Sequence, residues 1–188
     1  MGRRLAIPFA PQRFAPAAVV LAAALAAGGA HADAQRRAGD VLRYALPLGT
    51  LGVELWRGER EGAWQYSKAL VVTLAATEAL QRTTHVERPD HSNDHGFPSG
   101  HASSAFSSAT YVHRRYGLDH AWPLYAAAVY VGYTRVHADR HSWGAIAGSA
   151  AVSAAATWWL VKPAGDRGVA VLPQIGPHGV RVEVAARW

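Results

Sequence analysis

Apolar residues recur along the chain in segments rich in alanine and leucine, and short polar breaks separate these segments. Surface strands would instead alternate β-branched and polar residues, so the pattern predicts a mostly helical fold. Pro47 is expected to kink the first helix. The predicted helices run over about 40–56, 64–82, 101–116, 123–136 and 142–161. Together they predict an all-α helical bundle.

The polar segment 83–100 separates the second and third predicted helices. It is long for a loop in a compact domain, and long ordered loops are often functional. Ser99 is expected to cap the third helix, and Gly117 is expected to end it. Gly144 and Gly148, four residues apart, predict a face on which the last helix packs closely against a neighbour.

The C-terminal stretch "VAVLPQIGPHGVRVEVAARW" has a different pattern. Its apolar residues alternate with polar ones on both sides of a Gly-Pro-His-Gly turn, which predicts a short two-stranded β-hairpin. The expected fold class is therefore a helical bundle with a C-terminal hairpin.

The beginning of the chain has the features of an export signal. Arginines precede an apolar run from Ala15 to Ala27, and Ala30-His31-Ala32 matches a small-x-small cleavage pattern. We therefore predict a signal peptide over residues 1–32, a mature domain over 33–188 and a periplasmic location. A retained membrane anchor is the alternative. The uncharged stretch from Gly144 to Val161 is interpreted as a buried core helix, with membrane insertion as the minority view.

The net charge, the absence of cysteine and the high arginine content each bear on which functions the chain can have. The formal net charge is +6, and removal of Arg3, Arg4 and Arg13 with the signal would lower it to +3, which does not indicate nucleic-acid binding. The chain has no cysteine, so disulfides, thiolate nucleophiles and thiolate metal sites are excluded. Arginine supplies nearly all the positive charge, and guanidinium groups bind phosphate in a bidentate manner.

Three ordered clusters carry candidate chemistry: Arg88-Pro89, then Pro98-Ser99-Gly100-His101, then Arg135 followed six residues later by His141. The two arginines are suited to orienting a phosphoryl group, and amides that open a helix donate to anions. Two histidines at separate helix entrances suit a mechanism in which one attacks phosphorus and the other protonates the leaving oxygen. This chemistry needs neither a metal nor a cofactor.

With this order and spacing, residues 81–148 resemble the type 2 phosphatidic acid phosphatase superfamily, which shares its helical fold with vanadium haloperoxidases. The family pattern is K-x6-R-P, P-S-G-H and S-R-x5-H-x3-D. The resemblance implies that His141 is the nucleophile and His101 the general acid. It also implies that phosphate is bound by Arg88, Ser99, Gly100, Arg135 and the residue at position 81.

The chain departs from the family pattern at two important positions. Gln81 stands in place of the lysine, and Ala145 in place of the aspartate that orients the nucleophilic histidine; Thr134 for serine is a mild change. A lost preorganised donor costs on the order of 3 kcal/mol in the transition state, and loss of an orienting carboxylate costs roughly 10⁴ in rate in serine proteases. Asp94 and Asp139 are candidate replacements for the carboxylate.

The resemblance therefore implies an exported, metal-independent phosphatase that acts on a lipid phosphate or another phosphomonoester or diphosphate, with possible weakening of its activity. A non-catalytic member that binds an anion or a partner is the alternative, and a vanadate-dependent haloperoxidase is a lesser one. Peripheral membrane contact is expected; the oligomeric state is open. The pairs His91/His95 and His137/His141, each four residues apart, leave a zinc site as a further alternative.

Overall fold

The structure is a computed structural model that describes residues 32–165, 170–176 and 179–185. Five helices and one hairpin make up its regular elements in these ranges. The helices are α1 (Ala32–Trp56), α2 (Arg60–Thr84), α3 (Gly100–Tyr116), α4 (Leu118–Val136) and α5 (Trp143–Leu160), and the strands are β1 (Ala170–Gly176) and β2 (Gly179–Ala185). The predicted all-α bundle with a C-terminal hairpin is confirmed.

Helix α3 is the centre of the bundle, because it packs against each of the four other helices. Twelve of its residues are buried, among them Phe106, Tyr111 and Val112. Small residues on the other faces of α3 let its neighbours approach closely. Because His101 lies in the first turn of this helix, the packing of the four neighbouring helices determines its position in the domain.

Hydroxyl groups join the helices inside the core. Tyr66 and Ser108 share a hydrogen bond of 2.8 Å, and Thr110 and Thr157 share one of 2.9 Å. Each of these hydroxyls is buried and partnered, which avoids the cost of an unsatisfied polar group. The serine-rich sequence of α3 thus replaces part of an apolar core by directional contacts.

Three helices begin four or more residues before their predicted starts, and one of them is α2, which begins at Arg60 rather than at about Trp64. Helix α1 begins at Ala32 and continues through Pro47, and α4 begins at Leu118 although Pro123 was expected to begin it. A proline removes only one backbone hydrogen bond, and packing of the surrounding apolar residues outweighs that loss. The predicted signal peptide lies outside the described residues, apart from Ala32.

The last helix is buried on one side only. Ile146, Ser149 and Ser153 are buried, whereas Trp158 and Trp159 are exposed. The expectation of a buried core helix therefore holds for one face. Across the described residues, no helix has an apolar stretch long enough to span a bilayer.

Candidate active site

The two loops that carry the candidate residues meet at one end of the bundle. One loop, residues 85–99, connects α2 to α3, and the other, residues 137–142, connects α4 to α5. The amide of Asp90 donates to the carbonyl of Asp139 at 3.0 Å, and the guanidinium of Arg140 pairs with the Asp90 carboxylate at 3.2 Å. These contacts bring together clusters that are about 40 residues apart in sequence.

A cavity of about 350 Å³ lies between these loops and α1. Arg88, His101, Arg135 and His141, all predicted from the sequence, line it together. Arg36 and Asp40 from α1 and Arg140 from the second loop complete the lining. Four arginines face one carboxylate, so the cavity is suited to an anion.

His141 is held by a backbone carbonyl. Its side chain is almost fully buried, and its Nδ1 lies 2.9 Å from the carbonyl oxygen of Gly96. A carbonyl only accepts, so Nδ1 carries the proton and Nε2 of the neutral ring keeps its lone pair. Burial lowers the pKa of His141 and outweighs the hydrogen bond to Gly96, and the charges of Arg88 and Arg135 lower it further. The ring is therefore neutral near pH 7, as a nucleophile requires.

Gly96 can reach this position because it has no side chain. A Cβ atom there would lie 2.7 Å from the carbonyl oxygens of Val86 and Glu87, closer than such atoms approach one another. The amide of Gly96 donates to the carbonyl of Val86 at 2.6 Å. This hydrogen bond fixes the part of the first loop whose Gly96 carbonyl accepts from His141. The position of the His141 ring thus depends on backbone packing in the first loop.

The expected replacements for the missing carboxylate do not contact His141. Asp94 accepts from His85 Nδ1 at 2.8 Å on the exposed side of the first loop. No hydrogen bond joins the side chain of Asp139 to His141 in the part of the chain that the structure describes. The Gly96 carbonyl therefore supplies the orienting contact that Ala145 cannot make.

His101 has a carboxylate partner and two cationic neighbours. Its Nε2 lies 2.9 Å from Oδ1 of Asp40, and Nη1 of Arg43 lies within 3.4 Å of both ring nitrogens. Burial lowers the pKa of His101 most, and the charges of Arg135 and Arg43 lower it further against the effect of Asp40, to about 4. This ring is therefore neutral at pH 7.

Arg135 is fixed by α1. Its Nη1 donates to Asp40 Oδ1 and its Nη2 to the carbonyl of Arg36, each at 2.9 Å. The approach of α1 requires Gly39, since a Cβ atom there would overlap Thr134 Oγ1 and lie 2.9 Å from Arg135 Nη2. Arg135 is only 6% exposed and lines the cavity.

Ser99, Gly100 and Gln81 lie outside the cavity lining, and their phosphate contacts stay predictions. Ser99 occupies the N-cap position of α3, as expected, but its buried hydroxyl does not cap the helix. Its amide donates to Ser149 Oγ at 2.9 Å, and that hydroxyl donates back to the Ser99 carbonyl. Gln81 Nε2 donates to the carbonyl of Pro98 at 2.7 Å. These residues therefore brace the loop that presents His101.

The histidine pairs considered for zinc do not form a metal site. His91 pairs with Glu87 on the surface, and helix α4 ends at Val136, so His137 and His141 do not share a helical face. Among the described residues, no group of three or more histidine, aspartate or glutamate side chains could hold a metal ion.

A family model described as "PAP2 superfamily" matches residues 62–168, more than half of the chain. The chain belongs to the PAP2 superfamily. A curated relative, the lipid A 4'-phosphatase of Helicobacter pylori strain J99, is 33% identical over 115 residues. The match covers 55% of this chain and 58% of that protein, so the chain spans little more than half of the relative. No solved structure matches the chain significantly.

Sequence reasoning did not identify the contribution of α1 to this PAP2 site. Arg36, Asp40 and Arg43 follow one another at helical intervals of four and three residues, which places them on one face of α1. That polar stripe was the available signal, but nothing in the sequence shows that it faces His101. The carbonyl of Gly96 left no signal, because any residue has a carbonyl.

Proposed function

We propose that this PAP2 protein is an exported phosphatase that hydrolyses a phosphomonoester through a covalent phosphohistidine. The observation that carries the proposal is the pairing of a neutral, oriented His141 with four arginines around one cavity. A merely anion-binding protein would need the arginines, but it would not need a buried histidine with a free ring nitrogen.

In the first step, the phosphoryl group of the substrate lies against Arg88 and Arg135, whose guanidinium groups stabilise its oxygens. The lone pair of His141 Nε2 attacks phosphorus, and the bond from phosphorus to the ester oxygen breaks. His101, protonated when the anion is bound, gives its proton to the leaving oxygen. The products are the free alcohol and a phosphohistidine at His141.

In the second step, His101 is neutral and accepts a proton from water. The resulting oxygen nucleophile attacks phosphorus, the P–N bond to His141 breaks, and inorganic phosphate leaves. Both histidines return to their starting states. The protein itself supplies every group needed for these two steps.

For the substrate, we propose a phosphate ester on a lipid. The relative from Helicobacter pylori is named for the 4'-phosphate of lipid A, and its similarity to this chain extends over 115 residues. Trp143, two residues after His141, is exposed at the start of α5, where an apolar part of a substrate can contact it. A periplasmic location agrees with such a substrate.

The test is phosphate release by residues 33–188 in the presence of EDTA. The substrates are p-nitrophenyl phosphate, a short-chain phosphatidic acid and lipid A, and the control variants are His141→Ala and His91→Ala. His91 is an exposed histidine outside the cavity. We expect turnover that survives chelation, disappears in His141→Ala and persists in His91→Ala. No turnover above that of His141→Ala on any substrate would show a non-catalytic protein.

A further inference from the structure

Among the residues that the structure describes, Asp40 contributes the sole carboxylate of the cavity lining, and it comes from a helix outside the three sequence clusters. Its Oδ1 is 2.9 Å from His101 Nε2 and 2.9 Å from Arg135 Nη1. One oxygen of Asp40 thus contacts both His101, which has to be protonated to act as the acid, and Arg135, which has to bind the phosphate.

Without this carboxylate, the His101 ring would face cations alone. Arg43 approaches it on α1, Arg135 approaches it from α4, and Arg36, Arg88 and Arg140 line the same cavity. The other histidine of the cavity is neutral and adds no negative charge. A positive charge on His101 would be repelled by these groups, and Asp40 supplies the compensating negative charge.

We propose that Asp40 is the positioning residue of the proton-transfer histidine: it orients His101 and stabilises its protonated form during the reaction. The inference rests on the proposed phosphatase function. The contact with Asp40 also explains how His101 can be protonated, and so act as an acid, although arginines surround it.

The distribution of partners between the two histidines agrees with this role. His141, which has to be neutral to attack, is bonded to the uncharged carbonyl of Gly96. His101, which has to be protonated, is bonded to a carboxylate. A carboxylate stabilises an imidazolium far more than a carbonyl does, so each histidine has the partner that its step requires.

The first test compares two leaving groups in the variant Asp40→Asn. The side chain of Asp40 is half exposed, so the substitution does not disturb the core. p-Nitrophenolate leaves without a proton, whereas the alkoxide of a phosphatidic acid needs one. We expect kcat/KM for phosphatidic acid, which reports the steps up to formation of the phosphohistidine, to fall by about 10²–10⁴, the usual contribution of general acid catalysis. We expect less than a tenfold fall for p-nitrophenyl phosphate and partial recovery for phosphatidic acid in Asp40→Glu.

The control variant is Glu87→Gln. Glu87 also pairs with a histidine, His91, at 2.8 Å, but this pair is on the surface outside the cavity. Its turnover of both substrates should equal that of the wild type. Equal losses for the two substrates in Asp40→Asn would overturn the inference while the wild type remained a phosphatase. A gain in turnover would overturn it as well and would identify Asp40 as an anion that competes with phosphate.

A second readout does not depend on turnover. In a ¹⁵N NMR titration with inorganic phosphate bound, the pKa of His101 should be lower in Asp40→Asn than in the wild type. An unchanged His101 titration would overturn the inference. Wild-type protein that binds phosphate but hydrolyses neither substrate would overturn the proposed function and, with it, the positioning role.

Discussion

One hydroxyl group, that of Ser149, contacts both the amide and the carbonyl of Ser99 at the end of the loop before His101, and Ser149→Ala tests how much these contacts contribute. Ser149 Oγ accepts from the Ser99 amide at 2.9 Å and lies 2.9 Å and 2.8 Å from the carbonyls of Ser99 and Ala145, to which it donates. Both serines are fully buried. The substitution leaves the Ser99 amide without an acceptor and without access to water.

A buried unsatisfied amide costs about 1–3 kcal/mol, and the lost donated bond adds about 1 kcal/mol. We therefore expect the free energy of unfolding to fall by about 2–4 kcal/mol, which corresponds to a Tm lower by about 4–16 °C for a domain of this size. Because the loop also positions His101, phosphate turnover should fall. Urea denaturation and differential scanning calorimetry measure the first effect, and phosphate release measures the second.

Ser153→Ala is the matched control. Ser153 is also fully buried on α5, one turn away, and its hydroxyl donates to the carbonyls of Ser103 and Ser149. Both carbonyls belong to helices, where backbone amides already bond them. This substitution should cost only about 1 kcal/mol. Equal destabilisation by the two substitutions would refute the reasoning that an orphaned amide is the main cost.

Three further predictions concern the cavity. Gly39→Ala places a Cβ atom against Thr134 Oγ1 and 2.9 Å from Arg135 Nη2, so α1 has to move away from Arg135, and the Kd for inorganic phosphate, measured by calorimetry, should rise more than tenfold. An unchanged Kd would contradict the role of α1 in holding Arg135. Ala145→Asp should raise kcat less than tenfold, far below the roughly 10⁴ effect of an orienting carboxylate, because the Gly96 carbonyl already holds the nucleophilic ring. Because the pKa of His101 is about 4, its protonated form is depleted as pH rises above that value, and kcat/KM should peak on the acid side of pH 7. A maximum above pH 8 would exclude His101 as the acid.

The sequence predicted most of the fold because its helices have clear apolar patterns and its breaks contain glycine, proline and polar residues. The same order of motifs predicted that Arg88, His101, Arg135 and His141 act together, and these four residues line one cavity. The three motifs stand at or near the ends of helices in a fixed order, and this order was sufficient to predict that the four side chains meet at one site.

Two contacts in the site could not be predicted from the sequence. Asp40 is 61 residues from His101 and 95 from Arg135, and a contact over that distance depends on how α1 packs rather than on any local pattern. The Gly96 carbonyl belongs to the backbone, so residue types do not identify it. Because this carbonyl contacts Nδ1 of His141, we expect the loss of the aspartate at position 145 to be less damaging than the sequence pattern suggests.

The central claim is that His141 carries the phosphoryl group during turnover. The most direct measurement is rapid-quench labelling of the protein with ³²P-phosphomonoester under alkaline conditions, followed by peptide mapping, with His141→Ala and His91→Ala as the comparison variants. The account predicts an acid-labile label on the peptide that contains His141, formed before phosphate is released and missing only in His141→Ala. Turnover without any label on that peptide would contradict the covalent mechanism.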